Sequence, residues 1–313
     1  MDRIRLVANR RRSFIGSYVL GTGFILEPEQ AQELIERDPR NKDVLFPYLN
    51  GEDLNSRPDC SASRWVINFH DWSEERARSY SEVFDIVERL VKPVRAKNSN
   101  RQRRELWWRF TRPTLDLYRA ISGLDRVLVV ALVSKTLMPA WTSSRQVLSH
   151  KIGVFAVDKD EYLAFMSSSF HSRWAWRNSS TMKSDINYSP SDAYETLPHP
   201  QLNSRLADLG ATLHGIRGGL MTERGEGLTK LYNSFHDPMQ KSKDLWLLRK
   251  VHELIDHTVA DLYGWHDLDV RHDFRETRQG FRYAIDPTIE VEMLDRLLEL
   301  NHHRHQGEHT GEA

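Results

Sequence analysis

Arg126-Val127-Leu128-Val129-Val130-Ala131-Leu132-Val133-Ser134 is the stretch of sequence that decides the fold class. It is dominated by apolar, largely β-branched residues and lies between Gly123 and Pro139, which predicts a strand buried in a core. Its apolar run is also too short to cross a bilayer. We therefore expect β structure inside a folded domain in this part of the chain.

The segments on either side of this strand mix helix and strand. Pro28 fits the first position of a helix that Pro39 would end. Residues 146–158 predict two short strands with a turn near Gly153. Apolar side chains at helical spacing across residues 162–174 predict one amphipathic helix.

The pattern changes after Pro200 and becomes almost wholly helical. Residues 245–262 repeat apolar side chains at steps of three and four, and Asp286 followed by Pro287 is typical of a helix N-terminus. The chain from Asn301 onward is polar and rich in histidine, and we predict that it is disordered.

Together these patterns predict an α+β protein with two domains. We expect a mixed α/β domain over residues 1–200, a helical domain over residues 201–300 and a disordered tail over residues 301–313. A chain of 313 residues, of which 39% are hydrophobic, is long enough to bury a core of this kind.

The composition limits the classes of function. The formal net charge is +0, so a nucleic-acid surface must be a local patch and not a global excess of positive charge. Cys60 is the only cysteine, which excludes an intrachain disulfide and suits a reducing compartment. The N-terminal residues lack the apolar stretch of a signal peptide, so we expect a cytoplasmic protein.

The strongest local charge feature runs from Lys92 to Arg112. It carries eight basic residues against a single acidic residue, Glu105, and aromatic side chains stand among them. Such a segment can neutralise phosphates and stack on bases, or it can be a solvated basic surface whose tryptophans dock it to the core. The residues assigned to DNA under the first interpretation are Lys92, Arg95, Lys97, Arg101, Arg103, Arg104, Trp107, Trp108 and Arg109.

Arg145 and Lys151 form a second basic pair near the predicted short strands. Either side chain could reach a phosphate or a guanine edge, and Ser143, Ser144 and Ser149 beside them could donate hydrogen bonds to phosphates. The alternative is that these polar residues only serve turns.

Other kinds of chemistry have less support in the sequence. His302, His303, His305 and His309 could chelate a metal, but no cysteine or carboxylate set completes a site. The sequence contains no Walker loop, no G-x-S-x-G turn and no paired-cysteine zinc motif. We therefore assign no catalytic, cofactor-binding or metal-binding residue to this chain.

Several segments carry a family resemblance. They are residues 23–29 (GFILEPE), 43–55 (DVLFPYLNGEDLN), 63–69 (SRWVINF), 179–182 (SSTM), 188–198 (YSPSDAYETLP), 227–233 (GLTKLYN) and 262–265 (LYGW). In this order they resemble the C-terminal region of MmeI-like, type IIL restriction–modification enzymes, which belong to the wider group of adenine-N6 DNA methyltransferases. The resemblance covers most of the chain.

The resemblance implies target recognition up to about residue 200 and a helical C-terminal domain after it. In the family, a nuclease domain, a helical spacer and a methyltransferase domain precede these two. That methyltransferase uses S-adenosylmethionine and an Asn-Pro-Pro-Tyr motif to methylate a flipped adenine. The motif and the glycine-rich cofactor loop are absent from this sequence, so no catalytic or cofactor residue is carried over. Met1 with the basic residues Arg3 and Arg5 shortly after it resembles an internal start or a split gene.

Two hypotheses of different classes follow. The first is the DNA sequence-recognition portion of a restriction–modification adenine-N6 methyltransferase, without its methyltransferase and nuclease domains. Its expected partners are double-stranded DNA and a separate methyltransferase subunit, with no membrane. The alternative is an interaction or scaffold protein that docks through its helical part and has no DNA function of its own. For a third class, an independent nuclease or hydrolase, the sequence holds no set of catalytic residues.

Overall fold

The computed structural model describes residues 2–277 and 279–310 of the chain. Its α-helices are α1 (Pro28–Arg37), α2 (Gly51–Ser56), α3 (Glu74–Arg78), α4 (Ser81–Leu90), α5 (Lys92–Ala96), α6 (Arg101–Glu105), α7 (Leu115–Ile121), α8 (Asp160–Ser167), α9 (Ser169–Asn178), α10 (Ser204–Arg224), α11 (Leu228–Phe235), α12 (Lys243–Leu262) and α13 (Pro287–Thr310). Short 3-10 helices cover Val7–Asn9, Thr22–Phe24 and Pro39–Asp43.

The strands of the described residues are β1 (Ser13–Ile15), β2 (Ile25–Leu26), β3 (Leu45–Leu49), β4 (Arg64–Ile67), β5 (Arg126–Ala131), β6 (Val133–Ser134), β7 (Ala140–Ser143), β8 (Val147–Leu148), β9 (Ile152–Phe155), β10 (Ser180–Met182), β11 (Asp185–Asn187), β12 (Asp273–Thr277) and β13 (Gly280–Ala284). One four-stranded sheet has the order β1-β9-β5-β7, with antiparallel neighbours throughout. A second has the order β2-β4-β3-β8, in which β3 and β8 are parallel. A three-stranded sheet, β10-β11-β6, and the hairpin β12-β13 accompany them. This combination of helices and sheets confirms the predicted α+β class.

Two hydrophobic cores meet at β8. Val147 belongs to the smaller core and its neighbour Leu148 to the larger one, because adjacent side chains in a strand point to opposite faces. The larger core takes residues from both sides of the predicted boundary near residue 200, for example Phe165 from α8 and Leu213 from α10. The division into domains of residues 1–200 and 201–300 stays a prediction.

The predicted strand over residues 126–134 is present, but as two strands in two different sheets. The Leu132 N–H donates to the carbonyl of Lys151 at 2.9 Å, and the Leu132 carbonyl accepts from the N–H of Tyr188 at 2.7 Å. Leu132 is therefore where the chain leaves the sheet of β5 and enters the sheet of β6. Hydrophobicity does not reveal this change, because the apolar run continues across it.

Two expectations for the following segments are corrected. The turn lies at residues 149–151, and Gly153 is inside β9. The predicted single helix is two helices, α8 and α9, with Ser168 between them. The Ser168 side chain accepts a hydrogen bond from a backbone N–H in the first turn of α9, as an N-cap does, so a new helix starts there.

Beyond residue 200 the predicted helices are present, together with a hairpin that was not predicted. α12 ends shortly before Gly264, which has a φ of 75°, and the Thr288 N–H donates to Asp286 Oδ1 at 2.9 Å where α13 begins. Between them, β12 and β13 form an antiparallel hairpin, so this part of the chain is not wholly helical.

The prediction of disorder from residue 301 is wrong for residues 301–310. α13 continues through them to Thr310. Asn301 is fully buried, and its side chain accepts from the Ile4 N–H at 2.9 Å and donates to the carbonyls of Ile4 and Thr196, each at 2.7 Å. The last helix is thereby tied to the N-terminal segment. Residues 311–313 of the predicted tail lie outside the described residues.

Candidate nucleic-acid interface

Arg95 lies inside the molecule and not on an exposed basic surface. It is only 4% exposed, and its guanidinium donates to the carbonyls of Val19 at 3.0 Å, Leu20 at 3.1 Å and Trp107 at 3.3 Å. Burial lowers the pKa of Arg95 to about 10, and the nearby charge of Arg103 adds to the effect. Arg95 ties separate backbone segments together, so the assignment of this residue to DNA is corrected.

Trp107 and Trp108 are also buried. Their ring centroids lie 5.8 Å apart at an interplanar angle of 78°, and Trp107 packs edge-on against Phe84 at 5.2 Å. The Trp108 indole N–H donates to the carbonyl of Trp72 at 3.0 Å. Rings held in this way cannot stack on a base. The assignment of both tryptophans to DNA is corrected, and they dock the basic segment to the smaller core.

The other basic residues of the segment are exposed or half-buried, and several make local contacts. The Arg109 Nε–H, for example, donates to the carbonyl of Trp72 at 2.9 Å. Lys92 and Arg101 each form an ion pair with a glutamate one helical turn away, at 2.6 Å and 2.7 Å. Arg104 donates to the carbonyls of Asn98 at 2.7 Å and Ser99 at 2.9 Å, and Lys97 is exposed. Exposed ion pairs contribute little free energy. These side chains can therefore exchange their present partners for phosphates.

A stack of three side chains stands beside the basic segment. The rings of Tyr18 and His150 lie 4.6 Å apart at an angle of 23°, and the guanidinium carbon of Arg112 is 5.2 Å from the Tyr18 ring centroid. The backbones of Tyr18 and Arg112 exchange two hydrogen bonds, at 3.0 Å and 3.2 Å, which fixes this arrangement. Burial, with the charge of Lys151 next, lowers the pKa of His150 and favours its neutral form.

Gly16 allows the chain to reach this position. A Cβ on Gly16 would lie 2.2 Å from the carbonyl oxygen of Ser149 and 2.3 Å from that of Leu148, so no larger residue fits. The Ser17 N–H donates to the Leu148 carbonyl at 2.7 Å, and the His150 N–H donates to the Ser17 carbonyl at 3.0 Å. The stack therefore depends on a close approach of two backbone segments that only glycine permits.

Three depressions in the surface contain basic residues. One, of about 220 Å³ in accessible volume, contains Arg103 and Arg109, and another, of about 150 Å³, contains Arg145. Both have walls formed by residues 113 and 115. The third is a groove of about 860 Å³ that begins at the stack and contains Lys151. Two of the depressions thus have a common wall, and the contact of Arg112 with Tyr18 links that wall to the groove.

The groove extends from the stack to the hairpin of β10 and β11. Its far wall contains Ser180 and Asn187 of that hairpin, together with Arg3 of the N-terminal segment. The acidic lining residues Asp192 and Glu195 each lie 3.9 Å from an arginine of the N-terminal segment. The walls therefore offer hydroxyl, amide and guanidinium donors, and their carboxylates are partly neutralised.

The structure sorts the predicted site residues into three groups. The depressions are lined by Arg103, Arg109, Arg145 and Lys151. Elsewhere on the surface of α5, α6 and the loop between them are Lys92, Lys97, Arg101 and Arg104. The buried residues are Trp107, Trp108 and Arg95, of which Arg95 also borders the depression of Arg103 and Arg109.

Sequence reasoning did not find Tyr18 as a site residue. A tyrosine that follows a short strand is most often a core residue, so its position alone carries no signal. Gly16, two residues earlier, was the available signal, because an isolated glycine beside a strand often marks a close backbone approach.

Metal binding and membrane insertion find no support in the described part of the chain. Among residues 2–277 and 279–310, no group of three or more His, Cys, Asp or Glu side chains is placed to hold a metal ion. His302, His303 and His305 are instead part of α13. Across the same residues, no helix combines the length and the apolar character that crossing a bilayer requires.

Residues 7–201 match the family model described as MmeI, target recognition domain. The chain belongs to this family. The match confirms the resemblance inferred from the sequence, and it spans the three-membered stack and the four arginines that line the smaller depressions. The stack and the arginines of the smaller depressions therefore lie within the matched region, and Arg3 of the groove precedes it.

A solved structure has the same fold over nearly the whole chain. It is the type IIL restriction–modification enzyme MmeI in complex with DNA, with a TM-score of 0.64 and 18% sequence identity. The alignment covers 94% of this chain and 35% of that one, so this chain spans about a third of the length of that protein. The fold likeness includes helices that follow the target recognition domain. No curated protein matches the sequence.

Proposed function

We propose that this chain is the DNA sequence-recognition portion of a restriction–modification system that methylates adenine at N6. The observation that carries the proposal is the basic surface formed by the three depressions, in a chain of the MmeI target recognition domain family. The chain has a formal net charge of +0, so a phosphate backbone would be attracted to this local concentration of positive charge and not to the molecule as a whole.

Phosphate contacts are the proposed role of Arg103, Arg109 and Lys151. Guanidinium and ammonium groups at a phosphate release counterions and so give affinity without sequence preference. Arg145 now pairs with Asp125 at 3.0 Å, and both side chains are highly exposed. It can leave this partner at little cost and reach a phosphate or a guanine edge.

Positioning and reading are the proposed roles of the stack. Arg112 is held against Tyr18, which reduces the number of conformations that it would lose on binding DNA. A neutral His150 offers one donor and one acceptor, which suits contact with base edges. DNA bound along the groove beside His150 would then lie next to the strand pair β10 and β11.

Binding to duplex DNA over a range of salt concentrations tests the proposal. We expect the logarithm of the binding constant to fall linearly with the logarithm of salt concentration. Arg109→Gln and Lys151→Gln should each lower the affinity and reduce the slope by about 1. Arg271→Gln removes an exposed, ion-paired arginine outside this surface and should change neither. Undetectable binding at low salt, or binding without a salt slope, would reject the proposal.

Methyl transfer is proposed to occur on a separate methyltransferase subunit that binds S-adenosylmethionine. This chain covers 35% of the MmeI chain, which leaves most of that protein without a counterpart here. If a methyltransferase subunit methylates DNA site-specifically only when this chain is added, the assignment is supported. Equal methylation in the absence of this chain would reject the assignment.

We also propose a cytoplasmic location, which the free Cys60 thiol supports.

An interaction role through the helical part has one observation in its favour. Trp246 and Leu254 are 53% and 45% exposed, and they stand two turns apart on α12 with Lys250 between them. Exposed apolar side chains on one helix face are typical of a protein contact. Trp246→Ser with Leu254→Ser should abolish binding of a methyltransferase subunit and leave the DNA affinity unchanged. Retained binding of that subunit would remove the support for this contact.

A further inference from the structure

A small cavity outside the basic surface has the lining of an anion site. It lies where α9, α11 and α12 meet the hairpin of β12 and β13, and its volume is about 70 Å³. One water needs roughly 10–15 Å³ of such volume, so there is room for a few waters or for one small tetrahedral anion. We propose that this cavity binds an oxoanion of the phosphate type.

Two arginines supply positive charge to the cavity. The guanidinium of Arg173 reaches Gln279 Oε1 at 3.5 Å and the carboxylate of Glu290 at 3.3 Å. Arg282 donates to the carbonyl of Gln279 at 3.2 Å, and among the described residues no carboxylate lies within 4.0 Å of its guanidinium. Burial and the charge of Arg173 both lower the pKa of Arg282. An anion would relieve the repulsion between these two groups.

Asp256 is the carboxylate among the lining residues, and Oδ1 is the one of its two oxygens that accepts a hydrogen bond among the described residues. Oδ1 accepts from the Ser169 N–H at 2.8 Å, and Oδ2 lies 2.9 Å from His272 Nε2. The side chains of Asp256 and His272 are 2% and 5% exposed. The Ser169 N–H offsets part of the Asp256 charge, whereas Oδ2 lies beside His272 without a hydrogen-bond partner among the described residues.

Unpaired polar atoms in the lining point to a ligand. Four atoms of lining residues are buried and have no hydrogen-bond partner among the described residues: Ser167 Oγ, His272 Nδ1, Arg173 Nε and Asp256 Oδ2. Buried polar groups are nearly always hydrogen-bonded, so these atoms require partners. The hydroxyls of Ser172 and Thr136 also line the cavity, and exposed Lys135 stands in its wall. The lining is therefore rich in donors, as a phosphate group requires.

An oxoanion at this position would connect distant parts of the chain. The lining combines residues 135–138, which follow β6, with the start of α9, with α12 and with β13. These segments come from both sides of residue 200. Binding of the anion to the folded state alone would stabilise this junction in proportion to the anion concentration.

Calorimetric titration of the full chain with inorganic phosphate, at constant ionic strength set with sodium chloride, tests the proposal. We expect saturable binding to one site and a melting temperature that rises with phosphate concentration. Arg282→Gln should weaken phosphate binding at least tenfold. Arg271→Gln, which changes an exposed arginine outside the cavity, should leave it unchanged. If Arg282→Gln does not fold, Lys135→Gln at an exposed position replaces it and should weaken binding several-fold.

Competition identifies the source of the phosphate group. Duplex DNA that displaces inorganic phosphate would make a backbone phosphate the occupant, whereas unchanged phosphate binding at saturating duplex would make a free anion the occupant. Absence of saturable phosphate binding, or equal affinity in the wild type, Arg282→Gln and Lys135→Gln, overturns the proposal. The comparison of Arg282→Gln and Lys135→Gln with the wild type leaves Arg103, Arg109 and Lys151 unchanged, so its outcome is independent of the proposed DNA function.

Discussion

Arg95 and Arg101 belong to the same basic segment, yet they have opposite surroundings. Arg95 donates to carbonyls from residues 19–20 and from Trp107, while the Arg101 side chain is 81% exposed and pairs with Glu105. The difference arises from chain segments far away in sequence, which local charge density does not reveal. The tryptophans of the segment follow the same rule, since only tertiary packing shows that they are buried.

Replacement of Arg95 should destabilise the fold whether or not DNA is present. Arg95→Met leaves several buried carbonyls without a donor, so we expect the free energy of unfolding to fall by about 3 kcal/mol. Urea unfolding followed by tryptophan fluorescence measures this change. Arg101→Met is the matched control and should change the stability by less than about 0.5 kcal/mol. Equal effects of the two substitutions would contradict the structural role of Arg95.

At the scale of elements, α10 shows how one glycine determines helix packing. A Cβ on Gly210 would lie 1.9 Å from the carbonyl oxygen of Asp160 at the start of α8. A Cβ on Gly215, in the same helix, would meet no atom within 4 Å. Both positions carry the same helix-propensity cost, so any difference between them reports the contact of α10 with α8.

Alanine at these two positions should have effects of opposite sign. Gly210→Ala forces α10 away from α8, and we expect a destabilisation of about 1–3 kcal/mol. Gly215→Ala should stabilise the protein by roughly 0.5–1 kcal/mol, because alanine loses less backbone entropy in a helix. Thermal unfolding of both variants measures the pair. A stabilising Gly210→Ala would mean that α10 does not approach α8 as closely as described.

Elements with their own start and stop signals could be predicted from the sequence. α1 begins at Pro28 and α13 begins after Asp286, because proline and capping residues act locally. The break at Leu132 could not be predicted, since it depends on hydrogen bonds to Lys151 and Tyr188. Similarly, helix rather than disorder from residue 301 depends on the burial of Asn301 against distant segments.

The candidate site, like the fold, could be predicted only in part from the sequence. The basic segment could be located because charge density is a local property of the sequence. The stack of Arg112, Tyr18 and His150 joins three segments that are far apart in sequence, and its formation requires the backbone approach at Gly16. Which of the basic residues share one surface was therefore decided by tertiary contacts alone.

At the scale of the whole molecule, buried histidines link stability to pH. Burial is the main cause that lowers the pKa of His171 to about 4 and the pKa values of His199 and His252 to about 3 each. The folded protein therefore holds these side chains neutral, whereas in the unfolded chain they become protonated below about pH 6.5.

Stability should fall as the solution is acidified below about pH 6.5. In the window between that value and about pH 4, the unfolded chain binds more protons than the folded one, which costs about 1.4 kcal/mol for each group and each pH unit. The urea midpoint should thus be clearly lower at about pH 5 than at about pH 7. His303→Gln, at an exposed position of α13, should reproduce the wild-type profile. A midpoint that does not change over this window would contradict the burial of these histidines.

The region after residue 200 contacts the first 200 residues at several separate places. The Tyr263 hydroxyl donates to the carbonyl of Pro198 at 2.8 Å, and the Asn301 side chain donates to the carbonyl of Thr196 at 2.7 Å. A Cβ on Gly227 would lie 2.3 Å from the backbone of Ser56, so the start of α11 rests against the end of α2. The residues that match the target recognition domain therefore share their larger core with the helices that follow.

A fragment that ends at residue 201 should consequently lose cooperative folding. Removal of α10 to α13 exposes the apolar faces of α8 and α9 and leaves the contacts at residues 196–198 unmade. We expect the fragment to bind a hydrophobic dye, to keep its far-ultraviolet circular dichroism, and to lose the near-ultraviolet signal and the sharp urea transition of the full chain. Addition of a separately produced fragment of residues 202–313 is the control and should restore the transition. A cooperative transition of the first fragment alone would contradict the prediction and would make the target recognition domain an independent folding unit.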